Sequence, residues 1–176
     1  NLEELVCEGN ELATLDLSCT PKLVVLFCDN NNIDSLNLSN NPELEYLWCS
    51  QNHLVELDLS NISKLKQLVC WDNDLAKLDL GHTPQLRELD CRNNRINALN
   101  VSNNMELAKL HCSKNELKVL DLSKTTKLIE LDCADNELTD LNLVEQSNLL
   151  WLSCKNNNLG ALNLSHSPKL KTVHQY

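Results

Sequence analysis

Nine cysteines in a chain of 176 residues are the first place to look for chemistry. Thiols can pair as disulfides, hold zinc or act as nucleophiles. Eight of them, Cys7, Cys28, Cys49, Cys70, Cys91, Cys112, Cys133 and Cys154, recur every 21 residues. If that period is one structural turn, the eight stand on successive parallel strands about 4.8 Å apart. A disulfide needs Cβ atoms nearer ~3.8 Å and a dihedral near ~90°, which parallel Cβ vectors do not offer. Tetrahedral zinc needs ligands converging from different directions. The spacing therefore predicts a stack of small buried thiols packed as hydrophobes. Cys19 is off this register, in a return loop, and is the one thiol expected to be accessible.

A second constellation sits at the same period. Asp90, His111 and Asp132 occupy one column, and Glu88, Lys109 and Glu130 the column beside it. A carboxylate–imidazole–carboxylate row can bind a metal or move protons. Here it lies on an open sheet with no nucleophile or pocket implied. The same alternation of sign recurs at Asp74, Arg95 and Glu116. A solvated mosaic that keeps like charges apart explains all three rows. The chain has no Gly-rich phosphate loop, metal motif or nucleophile–base pair, so no enzymatic activity, metal or cofactor is expected.

The frame that positions these residues is a repeat. Leu44 to Leu54 fits Leu-x-x-Leu-x-Cys-x-x-Asn-x-Leu, and copies begin at Leu2, Leu23, Leu44, Leu65, Leu86, Leu107, Leu128 and Leu149. That period and pattern mark a leucine-rich repeat, a solenoid whose coils bury their apolar faces only by stacking. In the first copy Leu5 and Cys7 face inward, and Glu4, Val6 and Glu8 face outward, by the alternation of a short strand. The asparagine at the end of each copy, from Asn10 to Asn157, is read as a buried column that satisfies backbone groups of adjacent loops. The second half, Leu12-x-x-Leu15-Asp16-Leu17-Ser18 in the first copy, reads as an extended segment ended by an Asx or Ser turn. All four prolines, Pro21, Pro42, Pro84 and Pro168, fall at one loop position, where they stiffen the return without breaking the sheet. The expectation is an α/β-type leucine-rich repeat solenoid that is predominantly β. It has a parallel concave sheet, an extended or 3₁₀ convex side and a right-handed curved superhelix. It forms one domain over 1–176, with eight repeats and a partial ninth. Neither end reads as a polar cap, which predicts a fragment of a longer surface protein.

With 15 Lys plus Arg against 25 Asp plus Glu, the formal charge is -10. Nucleic acid and anionic membranes need a basic surface, so neither is expected as a partner. No apolar run is long enough for a membrane span. The Asn-x-Ser sequences at Asn37, Asn61, Asn100 and Asn163 arise from the repeated turn and are not read as glycosylation sites.

The Leu-x-x-Leu-x-Cys-x-x-Asn unit with Leu-Asp-Leu-Ser resembles the cysteine-containing 21-residue repeats of the internalin J group of bacterial surface proteins, over essentially the whole chain. The resemblance implies a curved solenoid on a secreted or wall-attached bacterial protein, with the concave face as the usual binding surface. It implies an extracellular adhesion role, with a host or cell-surface protein as ligand.

Inward residues are fixed by packing, so function is sought where outward residues differ between copies. Aromatic residues make up only 3% of the chain, yet Phe27, Tyr46, Trp48 and Trp71 fall in three consecutive copies on one face. Val6, Val25 and Val69 extend that patch. Large aromatics each offer about 150–250 Å² of contact area, and tryptophan and tyrosine are enriched at binding hot spots. Phe27, Tyr46, Trp48, Val69 and Trp71 are therefore the expected ligand-binding residues, for a protein or, by ring stacking, a glycan. The alternatives are aromatics that stack on one another and merely cover the sheet or bury against a flanking domain, and a spacer that holds other domains apart. Trp151 lies apart, beside Leu150, and is expected to pack against whatever follows the end of this sequence.

Overall fold

Every copy of Leu-x-x-Leu-x-Cys folds its middle into a three-residue strand, outward–inward–outward, with a leucine or, in the last, a valine at the centre. The computed structural model describes residues 1–175. Its strands are β1 (Glu4–Val6), β2 (Val25–Phe27), β3 (Tyr46–Trp48), β4 (Gln67–Val69), β5 (Glu88–Asp90), β6 (Lys109–His111), β7 (Glu130–Asp132), β8 (Trp151–Ser153) and β9 (Thr172–His174). They form one parallel sheet in chain order, each residue in register with its counterpart one repeat away. The ladder runs past the strands, for the Cys28 N–H donates to the Trp48 carbonyl at 2.8 Å and the Cys49 N–H to the Val69 carbonyl at 2.8 Å. Among the described residues there is no helix.

The leucines and thiols do what their period predicts. Leu26, Leu47, Leu68, Leu89, Leu110 and Leu131 are fully buried, and Cys28 to Cys154 line up beside them as free thiols. Burial pushes the Cys28 thiol up to about 12, with the nearby Cys7 and Asp29 adding to the rise. Burial raises Cys49, Cys70, Cys91, Cys112 and Cys133 as well. Buried among the leucines, these thiols pack as small hydrophobes and the ladder is core. Cys19 is exposed.

The asparagine column closes each coil onto the last. Asn52 Nδ2 donates to the carbonyls of Cys28, Cys49 and Ser50 at 3.0, 3.1 and 3.1 Å, and its Oδ1 accepts from the Ile33 N–H at 3.0 Å. One amide thus satisfies backbone groups of two coils. The residue just before each column position bends into the left-handed region, as Gln51 (φ 51) and Lys114 (φ 53) do, and the first coil uses Gly9 (φ 68) there.

The return side is extended backbone punctuated by turns. The Asx reading holds in each of the eight copies: Asp16 Oδ1 accepts from the Ser18 N–H at 2.9 Å, and Asn142 Oδ1 accepts from the Val144 N–H at 3.0 Å although no serine follows. Two turns then follow end to end, with the Thr20 N–H on the Leu17 carbonyl at 3.2 Å and the Leu23 N–H on the Thr20 carbonyl at 3.1 Å. Because they do not overlap, they do not build a 3₁₀ segment, and of the two expected forms the extended one is realised. Pro21, Pro42, Pro84 and Pro168 take the second position of that later turn, where a preset φ suits the bend.

A second buried polar column lies on this side. Asn41, Thr83, Asn104 and Thr125 are fully buried, and Gln146 nearly so. Asn41 Nδ2 donates to the Thr20 carbonyl at 2.9 Å, and Gln146 Nε2 to the Leu122 carbonyl at 2.9 Å. Ile62 takes the same slot as a plain hydrophobe, fully buried.

Candidate functional site

The outward residues of β1 to β4 form lateral rows because the register is strict. Val6, Phe27, Trp48 and Val69 lie side by side in one row, and Glu4, Val25, Tyr46 and Gln67 in the next. Phe27 and Trp48 stack, with ring centroids 4.3 Å apart and planes 22° from parallel. Part of each ring therefore covers the other, and both remain half-buried. Val6 stays 52% exposed at the edge of the row.

Trp48, Val69 and Trp71 meet around a recess of about 380 Å³, with Gln67 beside them. The remaining lining is acidic: Glu8, Asp29, Glu88 and Asp90. Of the five expected site residues, three line this recess, and Phe27 supports Trp48 from behind. Tyr46 lies on the same strand face as Trp48 but does not line the recess.

Two polar atoms here are buried without a partner, Trp48 Nε1 and Asp29 Oδ2. The other oxygen of Asp29 accepts from the Ser50 N–H at 2.7 Å. Burial holds the Asp29 carboxyl above its ordinary range and the charge of Glu8 adds to this, while the bonds from Ser50 oppose it. Asp29 was legible only as one member of the outward column Glu8, Asp29, Ser50, Trp71. Its closeness to Trp48 comes from the neighbouring coil, and the signal was its offset from Trp48 by one coil and two residues.

The charged half of the face, β5 to β8, behaves differently. Asp90, His111 and Asp132 are in register as expected. Asp90, however, is engaged along its own coil, and Asp132 both along its coil and with a hydroxyl of the coil before. Asp90 takes both Arg92 Nε at 2.8 Å and Arg92 Nη2 at 2.6 Å. That pairing raises the Arg92 pKa further. Asp132 Oδ2 accepts from Ser113 Oγ at 2.7 Å, and its Oδ1 from the Ala134 N–H at 3.2 Å. His111 Nε2 lies 3.6 Å from Glu130 Oε2. Among the described residues, no three His, Cys, Asp or Glu side chains gather as a metal site. The lateral pair Asp74–Arg95 does form, at 2.5 Å. Trp151 packs near His174 of β9 at 5.8 Å and edge-on to His111 at 6.4 Å.

A larger recess of about 690 Å³ lies on the second half of the coils, among Leu78, Leu99, Val119, Lys77 and Lys118. It has no aromatic wall, and the Asx side chains beside it, such as Asp79 and Asp121, already accept turn bonds.

The coordinates closely match the functional domain of InlJ from Listeria monocytogenes, a structure described as including a cysteine ladder. The TM-score is 0.98 and the identity 39%, over 99% of this chain and 39% of that one. The chain thus spans well under half of that domain. Internalin C2 from Listeria monocytogenes shares the fold at a TM-score of 0.91 and 21% identity, over 99% of this chain and 80% of that one. TLR13, in a complex with ssRNA13, matches at a TM-score of 0.74 and 25% identity, over 90% of this chain and 26% of its own. No family model and no curated protein matches the sequence. Among the described residues, no helix is long and apolar enough to cross a membrane.

Proposed function

The chain belongs to the internalin-like leucine-rich repeat solenoids that InlJ represents, and we propose that it is a non-catalytic adhesion module whose β1–β4 face grips a protein on another cell's surface. Its internalin-like neighbours support protein interaction as the broad role. The extracellular, bacterial setting belongs to the proposal.

The observation that carries it is the contrast within one sheet. Phe27 and Trp48 stack outward beside Val69 and Trp71, and the recess they border keeps an indole N–H and a carboxylate oxygen without partners. Outward aromatic surface beside carboxylates that form no ion pair, Glu8 and Glu88, suits a surface completed by something else. A stack that only covered the sheet would not need Trp71 beyond it.

A glycan is the second reading. Trp71 also borders a polar recess of about 380 Å³ with Asp72, Arg92, Asn93, Ser113 and Lys114, a setting in which a sugar ring stacks and its hydroxyls find partners.

The experiment coats beads with the chain and measures their adhesion to cultured epithelial cells. Trp48→Ala and Trp71→Ala should each weaken binding more than about tenfold, as hot-spot aromatics do. Adhesion that survives both changes rejects the reading. Release by simple sugars that quench tryptophan fluorescence saturably favours the glycan.

A further inference from the structure

We propose that the recess between Trp48 and Trp71 receives a basic side chain, lysine or arginine, from a partner protein with a positively charged surface. This deepens the reading of the β1–β4 face as a protein-binding surface and rests on it.

The lining is one-sided in charge. Two tryptophans and Val69 supply the apolar part, four carboxylates and Gln67 supply the rest, and no lysine or arginine lines it. Aromatic faces beside carboxylates, within a few ångströms of one another, are what a guanidinium or ammonium group seeks: ring quadrupole and opposite charge act together. The carboxylates are not equally available. Asp90 is engaged by Arg92 through two bonds. Glu8 and Glu88 form no ion pair among the described residues. Asp29 Oδ2 is buried and unpartnered.

Asp29 Oδ2 and Trp48 Nε1 lie beneath the surface, so Asp29 acts on the recess through its charge, and the exposed Glu8 and half-buried Glu88 are the carboxylates a basic tip can reach. A neutral sugar gives no reason for the carboxylates, and a nucleic acid would meet like charge. The adjoining recess, with Arg92 and Lys114 in its lining, would repel a cation and so favours entry on the Trp48 side. The net charge of -10 draws basic partners from a distance.

The test tracks the indole N–H signals of Trp48, Trp71 and Trp151 in ¹⁵N-correlation spectra. The intact chain is titrated with hexa-arginine and with its neutral counterpart, hexa-citrulline. Hexa-arginine should shift Trp48 and Trp71 saturably and leave Trp151 in place, with hexa-citrulline about tenfold weaker. Trp71→Leu should weaken the arginine peptide about tenfold and Glu88→Gln about threefold, with melting curves confirming that both fold. Glu56→Gln, at a distant exposed carboxylate, should leave binding unchanged. Equal binding of the two peptides would overturn the charge preference while leaving the sheet-face reading intact. All three indoles moving together, or Glu56→Gln weakening binding as much as Glu88→Gln, would show diffuse attraction and overturn the inference. So would no shift at all, and bead adhesion by the Trp48 and Trp71 variants then judges the broader reading separately.

Discussion

The strands β1 to β4 and β5 to β8 share one core, one register and one asparagine column, yet their outward faces reach opposite solutions. On β5 to β8 Asp90 pairs with Arg92 and Asp132 with Ser113, while His111 Nε2, 3.6 Å from Glu130 Oε2, is left without a hydrogen bond. On β1 to β4 aromatic rings stack over the sheet, and Trp48 Nε1 and Asp29 Oδ2 are left over. Identical scaffolding under both halves means that the difference is not imposed by folding. It is carried by outward residues alone, which is where a solenoid can vary without cost to its core.

If the scaffold is the same in both halves, its thiols must be equally protected. Alkylation of the native chain should label Cys19 first and the partly exposed Cys7 next. Cys28, Cys49 and Cys70 should resist as long as Cys112 and Cys133, because burial raises the pKa of every one. Mass spectrometry of timed samples checks this, and earlier labelling under the aromatic half would break the comparison. In stability terms, Asn52→Ala and Asn115→Ala should each cost about 1–3 kcal/mol, since each strands backbone groups of two coils. Urea melts that separate the two by more than the cost itself would show unequal scaffolds.

Smaller effects should differ in sign between the halves. Asp90→Asn removes the charged partner of Arg92 and should lower stability by about 1–2 kcal/mol. Asp29→Asn should raise the melting temperature modestly at neutral pH. Burial, aided by Glu8, raises the folded-state pKa of Asp29 against the pull of Ser50, so its ionisation opposes folding. That penalty is absent below the unfolded carboxylate value near ~3.9 and grows as pH rises through the folded value. Melting curves across that range should show the two proteins converging at low pH. A destabilised Asp29→Asn at neutral pH would mean that Asp29 is structurally satisfied and the two halves are alike.

Whatever repeats was legible in the sequence. The period places Leu47, Cys49 and Asn52 inside and Tyr46 and Trp48 outside, and the Asx turn at Asp16 can be read from its neighbours. What varied between copies was not legible. The column through Asn41, Ile62, Thr83, Asn104 and Gln146 changes residue type at nearly every step, so no motif marked it as buried, although one geometry holds it. The sign alternation through Asp90, His111 and Asp132 marks a mosaic that keeps like charges apart, but not the turn of Asp90 along its own coil to Arg92, two residues on and on the same face. A bidentate fork offers carboxylates more than an imidazole one strand away. The meeting of Asp29 with Trp48 and Trp71 depends on how side chains of three coils lean together, which spacing alone does not encode.

The central claim is that one half of the sheet face contacts a partner and the other half does not. Beads carrying Trp71→Ala and beads carrying Trp151→Ala, compared with the unaltered chain on the same cells, test it most directly. The account predicts that adhesion falls more than about tenfold for Trp71→Ala and stays within about twofold for Trp151→Ala. Equal loss from both, or no loss from Trp71→Ala, would contradict it.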